Sequence, residues 1–444
     1  MTEPLLAPSI MPLIMTFSSC FTAPSFVTFQ HLVAGWILCV GRHTVTGVLR
    51  ASGAVGEKHH TSFHRFFRSA AWQLESVGLC LIELTVKLLP IDEPVVVALD
   101  DTLGRHTGKH IRGASMHHDP LLSTRAKPVF HWGHVWVVAS IVVHVSRWKK
   151  NFALPVLVRL YRSQKLCEKE KRPFLKKTEL AAQLISVLAS AMPNRRIRVV
   201  ADAAYANASI LKALPKNVDF IGRAPMDAAL YAQPARSTSK RRGRPAVKGK
   251  RLPSPQQRSR KSEGWHRIKL TVYGRVVTVQ VKVFDALWYR AAGGRMLRFV
   301  LVRDWPGHKH DDVFCTTDLA TSAEQVIKKY CLRWYLEVAF EESKGKLGFE
   351  DPQNRTEAAV ERTAPMALWM YTVVVIWYLS TEKNVTAPRL PQYPWYCKTV
   401  PAFSDMLAAL RRETWTSRVL DPAGFDRSDK KSVAPLLDAI GYAA

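Results

Sequence analysis

Apolar residues change their spacing along the chain, and each change marks a different kind of element. Up to about residue 90 the pattern is helical. Phe63, Phe66 and Phe67 form an apolar stripe with Arg65 and Arg68 facing outward, and Ser62 is placed to cap that helix. Residues 41–50 read as a shorter helix before it. Two short helices with a basic second member resemble a helix-turn-helix, although the same spacing suits an ordinary helical pair. From residue 93 the spacing collapses into continuous β-branched runs. Residues 94–99, 134–145 and 152–160 read as buried strands. Thr178 then caps a helix to Leu188, closed by Pro193 and Asn194. A strand at 197–201, a helix at about 206–214 and a strand at 218–222 follow.

Three strands, helix, strand, helix, strand is the order of the ribonuclease-H-like fold. At residue 231 the chain departs from it. Residues 236–269 carry basic residues from Arg236 to Lys269 against the single acid Glu263, with frequent Pro, Gly and Ser, the composition of a loop or a segment disordered when free. Within it Arg242-Gly-Arg244-Pro matches the core of an AT-hook, whose short arm enters the minor groove. Residues 265–284 alternate around Tyr273-Gly274 as a hairpin, and 297–303 reads as another strand. Helix returns from 322 to 346, and a Pro-rich stretch leads to a last helix at 403–412. The expected class is α/β: a ribonuclease-H-like mixed sheet flanked by helices, with a mainly β insertion and helical N- and C-terminal regions. The expected divisions are 1–92 (helical, DNA-binding), 93–230 and 301–385 (the two parts of the core), 231–300 (arm and insertion) and 386–444 (tail).

Charge narrows the partners. The 444 residues hold 64 Lys and Arg against 36 Asp and Glu, a formal +28. Such a field draws polyanions, with nucleic acid first and an acidic membrane surface second. The seven cysteines are scattered and form no C-x-x-C pair, which argues against a disulfide framework or a zinc site. The N-terminus lacks a basic leader region and is broken by Pro4, Pro8 and Pro12. The longest apolar stretch, 364–379, falls short of the roughly 20 residues that span a bilayer and reads as a buried core helix. A soluble, cytoplasmic protein with no membrane association is expected.

Chemistry gathers at strand ends and on one helix. Asp101 ends the run 95–100 and Asp202 ends 199–201, where a rigid terminus holds an acid for metal binding. Asp100 and Asp101 face opposite ways on a strand, so only one shares a site with Asp202. Tyr330, Arg333, Glu337 and Lys344 fall within a sector of roughly 60° on a continuous helix. Their flanks Trp334, Tyr335, Leu336, Val338 and Phe340 are apolar, so the charges emerge from a buried helix; Glu341 lies near the same stripe. The dense histidines His106, His110, His117, His118, His131 and His134 lack zinc spacing with Cys.

The spacing Y-x2-R-x3-E-x6-K, met by Tyr330, Arg333, Glu337 and Lys344, resembles the signature of DDE transposases of the insertion-sequence-four-like group. Asp101-Thr102 is similar to that group's first Asp in a D-T pair, and Val200-Ala-Asp202-Ala-Ala-Tyr205 to its second. The preference for Asp101 over Asp100 rests on that D-T alignment. The resemblance implies that Asp101, Asp202 and Glu337 hold two Mg²⁺ or Mn²⁺ ions, which serve attacking and departing oxygens in phosphodiester transfer. It further implies that Tyr330, Arg333 and Lys344, with Arg223, grip the terminal phosphate, and that Trp265 or Trp288 stacks a flipped base or lies in the core. The implied activity is that of a bacterial insertion-sequence transposase, cutting and joining double-stranded DNA at terminal inverted repeats and target DNA as a homodimer. A related metal-dependent nuclease, or a non-catalytic DNA-binding regulator, is the alternative.

Overall fold

In the computed structural model, residues 6–119, 122–124, 126–234, 246–305, 307, 310–381, 390, 392–424 and 427–443 are described. Helices α1 (Met11–Met15), α2 (Ala23–Leu38), α3 (Val45–Ser52), α4 (His60–Arg68) and α5 (Leu74–Val86) precede the sheet. Thr44 caps α3, its hydroxyl accepting from the Gly47 N–H at 3.1 Å. On α4 the stripe of Phe63, Phe66 and Phe67 is buried, as its spacing requires. The cap is His59 rather than Ser62: the helix begins three residues earlier than a Ser62 cap would set it, and the Ser62 N–H is already donated to the His59 carbonyl at 2.9 Å. These helices share one continuous core with the rest of the chain, running from Leu6 to Leu410.

The β-branched run after Pro94 becomes β1 (Val95–Arg105), followed by β2 (Ser115–His118), β3 (Phe130–Val145) and β4 (Lys150–Tyr161). A short α6 (Gln164–Lys169) leads to α7 (Lys177–Ala191). Thr178 does not cap α7; Glu179 accepts from the Lys176 N–H at 2.7 Å and draws the start upstream. Then come β5 (Ile197–Ala201), a 3-10 turn at Ala203–Tyr205 with the four-residue α8 (Ala208–Leu211), and β6 (Val218–Arg223). Strand β1 lies between β3, antiparallel, and β5, parallel, and β5 pairs with β6 in parallel. That is the order of the ribonuclease-H-like sheet read from the sequence.

The β-rich stretch after 231 extends this sheet instead of forming a layer of its own. Its strands are β7 (Leu230–Tyr231), β8 (Arg251–Leu252), β9 (His266–Val272), β10 (Arg275–Leu287) and β11 (Met296–Arg303), with short helices α9 (Pro255–Ser259) and α10 (Tyr289–Ala292). The next strand, β12 (Asp312–Thr316), pairs with β11 on one side and with β6 on the other. The order is β2-β3-β1-β5-β6-β12-β11-β10-β7-β8, with β4 on β3 and β9 on β10. Tyr273 and Gly274 make the β9–β10 turn with φ of 50° and 73°, the left-handed pair that matches strand twist. Arg242 and Arg244 lie outside the described residues.

The helix expected at 322–346 is two, α11 (Ala323–Cys331) and α12 (Trp334–Leu347). The apolar segment at 364–379 belongs to a longer α13 (Glu357–Thr381). By length and composition α13 could cross a membrane, but 94% of its most apolar window is buried inside the protein. Helices α14 (Phe403–Trp415) and α15 (Arg427–Tyr442) close the chain. Arg411 of α14 is buried and ties two helix ends together. It donates to the carbonyls of Ile37 at 2.6 Å and Cys39 at 3.0 Å, behind α2, and to Gly441 at 3.2 Å and Ala443, behind α15. These are carbonyls a helix terminus leaves unspent, and a cation suits the negative end of each dipole. Burial lowers the Arg411 pKa to about 10. Arg411→Met is expected to cost about 3 kcal/mol of stability by leaving those acceptors without donors. Urea denaturation checks this, and an unchanged midpoint would contradict it.

Candidate active site

The sheet chooses between the paired aspartates. Successive strand residues point to opposite faces, and the parallel register Leu99↔Ala201 sets Asp100 abreast of Asp202. Asp101 turns the other way. Its Oδ1 accepts the Tyr205 hydroxyl at 2.7 Å and its Oδ2 pairs with Lys177 Nζ at 2.6 Å. The expectation that Asp101 joins Asp202 is thereby corrected: alternation along β1 gives that place to Asp100.

The third carboxylate arrives with α12. Between α11 and α12 the chain tightens. The N–H groups of Leu332, Arg333, Tyr335 and Leu336 each donate three residues back, at 3.1, 3.1, 3.2 and 2.9 Å. This 3-10 turn breaks the continuous helix on which the 60° sector was reckoned. Even so, the Tyr330 hydroxyl donates to Asp202 Oδ1 at 3.3 Å. Arg333 Nη1 donates to Asp100 Oδ2 and, at 2.7 Å, pairs with Glu337 Oε1. Because one nitrogen serves both carboxylates, their contacting oxygens lie no more than about 6 Å apart, two hydrogen-bond lengths.

The far end of α12 is fastened to β1 as well. Lys344 Nζ donates to the Leu103 carbonyl at 2.7 Å and pairs with Glu350 at 3.5 Å, while Glu350 accepts the Arg105 N–H at 3.1 Å. Trp36 Nε1 donates to the Leu347 carbonyl at 3.0 Å, so α2 braces the same end. Gly348 ends α12 at φ 63°, where an added Cβ would come within 2.5 Å of His43. Lys344 therefore fixes the helix that carries Glu337, and its amine is not in the carboxylate cluster.

Burial pushes the Asp100 carboxyl up to about 6; Arg333 pulls it down, while Asp101 and Asp202 add to the rise. Burial opposes the Arg333 charge, yet Asp100 and Glu337 hold its pKa above the ordinary value. Burial and then Asp202 raise the Tyr330 phenol. Beside the cluster lies a cavity of about 500 Å³, lined by Arg223, Tyr273, Phe314, Tyr330, Arg333 and Trp334 among others. Arg223 stands in its wall paired with Asp312. Trp334 is half exposed, 6.3 Å from the Tyr273 ring. A larger cavity, about 660 Å³, lies away from the carboxylates by Trp72, Glu75, Arg159 and Arg362, and its Arg159 is paired with Glu75 at 2.6 Å.

Residues 16–282, more than half of the chain, match the family model of the DDE superfamily endonucleases. The chain belongs to that family. No curated protein matches it. Among solved structures, it is similar to the cryo-EM structure of the piggyBac transposase synaptic complex with hairpin DNA. The identity is 10% and the TM-score 0.41, over 98% of this chain and 82% of the other.

DDE superfamily enzymes use divalent metal ions. Among the described residues of this DDE chain, no three His, Cys, Asp or Glu side chains stand close enough together to hold a cation as they are placed. The donor chemistry fits one nonetheless. Asp100, Asp202 and Glu337 offer hard oxygen donors of the kind Mg²⁺ and Mn²⁺ take. The histidines serve elsewhere. His134 Nδ1 meets His106 Nε2 at 2.9 Å, and its Nε2 donates to the Arg112 carbonyl at 2.8 Å; burial lowers its pKa to about 3. His131 pairs with Asp119 at 3.0 Å. Trp288 is buried, while Trp265 lies between Arg303 at 4.2 Å and Lys282 at 4.8 Å. The sequence pattern pointed to neither Lys177 nor Asp312, marked Tyr273 only as a hairpin turn and Trp334 only as an apolar flank, and gave Tyr205 no role. Only Tyr205 carried a signal, its fixed distance from Asp202.

Proposed function

We propose that this DDE-family chain is the transposase of a bacterial insertion sequence, cutting and joining DNA at the element's ends with Asp100, Asp202 and Glu337 as metal ligands. One observation carries the reading. Arg333 reaches both Asp100 and Glu337 while its neighbour Tyr330 reaches Asp202, so acids from three distant segments converge at one end of the sheet. Asp100 takes the place that the D-T resemblance gave to Asp101.

Two Mg²⁺ or Mn²⁺ ions held by these carboxylates would activate a water or a DNA 3′-hydroxyl and stabilise the leaving oxygen. The chain supplies the rest. Tyr330 and Arg333 stand where a phosphate beside the carboxylates would meet a phenol and a guanidinium, and Arg223 lines the adjoining cavity. Asp101 holds β1 against the turn after Asp202 through Tyr205 and against the start of α7 through Lys177. On α4, Thr61, His64, Arg65 and Arg68 form an exposed stripe at helical spacing opposite the buried phenylalanines, a face suited to duplex DNA. Joining two ends in one complex calls for a homodimer on DNA, in the bacterial cytoplasm.

Purified protein with Mg²⁺ and a labelled duplex bearing the DNA that flanks the coding region is expected to nick at the element terminus and then yield joined product. Nicking with no joined product would favour the nuclease reading. Binding with neither, in Mg²⁺ or Mn²⁺, would leave the DNA-binding regulator.

A further inference from the structure

Arg333 enters the carboxylate cluster from the tight turn between α11 and α12. Its Nη1 is shared between Asp100 and Glu337, while its Nε is buried and has no hydrogen-bond partner among the described residues. The guanidinium thus occupies the electrostatic position of a cation among these acids, in a pose that leaves one of its own donors unspent. The same side chain also lines the cavity beside the cluster. A second cation on the same carboxylate oxygens would meet Arg333 at close range, and like charges so near one another repel strongly away from bulk water. Arg223, on the same cavity wall, is already paired with Asp312.

We propose that Arg333 and the divalent cation exchange places: the guanidinium neutralises Asp100 and Glu337 until metal binds, then turns into the adjoining cavity to hold a DNA phosphate. The inference rests on the metal-site reading above and adds a coupling to it. Whatever draws the guanidinium off the carboxylates favours the cation, and the cation frees the guanidinium for phosphate. Metal and DNA therefore raise each other's affinity through this one side chain, since such coupling is reciprocal.

The test is Mn²⁺ binding, read from the electron paramagnetic resonance signal of free Mn²⁺, with and without a short duplex and corrected for Mn²⁺ held by the duplex alone. R333Q is expected to bind Mn²⁺ about tenfold tighter than the unaltered protein without DNA, within the usual range of such couplings. The duplex is expected to tighten Mn²⁺ binding in the unaltered protein and to have no such effect in R333Q. R333K, which keeps the charge, should stay near the unaltered value. Equal or weaker binding by R333Q overturns the exchange. So does a duplex without effect on the unaltered protein, a result that does not depend on any variant folding. D202N separates this failure from that of the site: Mn²⁺ binding that survives D202N removes the metal-site reading itself.

Discussion

Asp100→Asn is expected to lower Mg²⁺-dependent DNA nicking by about 10³-fold or more, while Asp101→Asn stays within about tenfold of the unaltered protein. The two residues are adjacent and chemically identical, so the contrast tests geometry alone. Asp100 stands abreast of Asp202 at the end of β5 and shares its guanidinium partner with Glu337. Asparagine keeps the shape but loses the charge that a divalent ion requires. Asp101 lies across the strand, where an asparagine oxygen still accepts from Tyr205 and only the Lys177 ion pair is lost. A partly exposed ion pair contributes roughly 0–1 kcal/mol, so Asp101→Asn should fold and cut. Single-turnover nicking rates decide the matter. The reverse pattern, with Asp101→Asn inactive and Asp100→Asn active, would return the site to the D-T alignment.

That contrast also marks how far the sequence could be read. The strand order around β1, β5 and β6 was legible because buried parallel strands are continuous apolar runs with few competing readings. The choice between Asp100 and Asp101 was not. Alternation shows that the two differ, but only the Leu99↔Ala201 register says which one faces Asp202, and register belongs to the pairing of distant segments. The Tyr330-to-Lys344 stripe was found on the right helix, yet the turn at Leu332–Arg333 retains helical dihedrals and carries no Pro or Gly, so nothing local announced the break. Trp334 was read as a buried flank from its apolar neighbours; after the break it is half exposed at the cavity. Likewise, alternation after residue 231 specified strands but not their partners, and a separate insertion looks the same in sequence as an extended sheet.

Glu337→Gln should abolish nicking and joining together, by about 10³-fold or more, with duplex binding retained. Glu341→Gln, one helical turn further on, should leave both within about twofold, as surface substitutions usually do. Glu341 is solvent-exposed. Glu337 instead meets the guanidinium that Asp100 holds, on a helix whose far end is tied to β1 through Lys344 and Glu350. The anchoring matters, because a ligand on a helix free to slide would not keep its distance from Asp100. Glutamine removes the negative charge without disturbing those anchors, so loss of activity cannot be assigned to loss of the helix if the melting temperature is unchanged. Strand joining assayed on a pre-nicked end supplies the sharper half of the test. If one set of carboxylates serves both steps, Glu337→Gln fails on pre-nicked and intact DNA alike. Joining that persists on the pre-nicked substrate would mean that this carboxylate is needed only for the first cut.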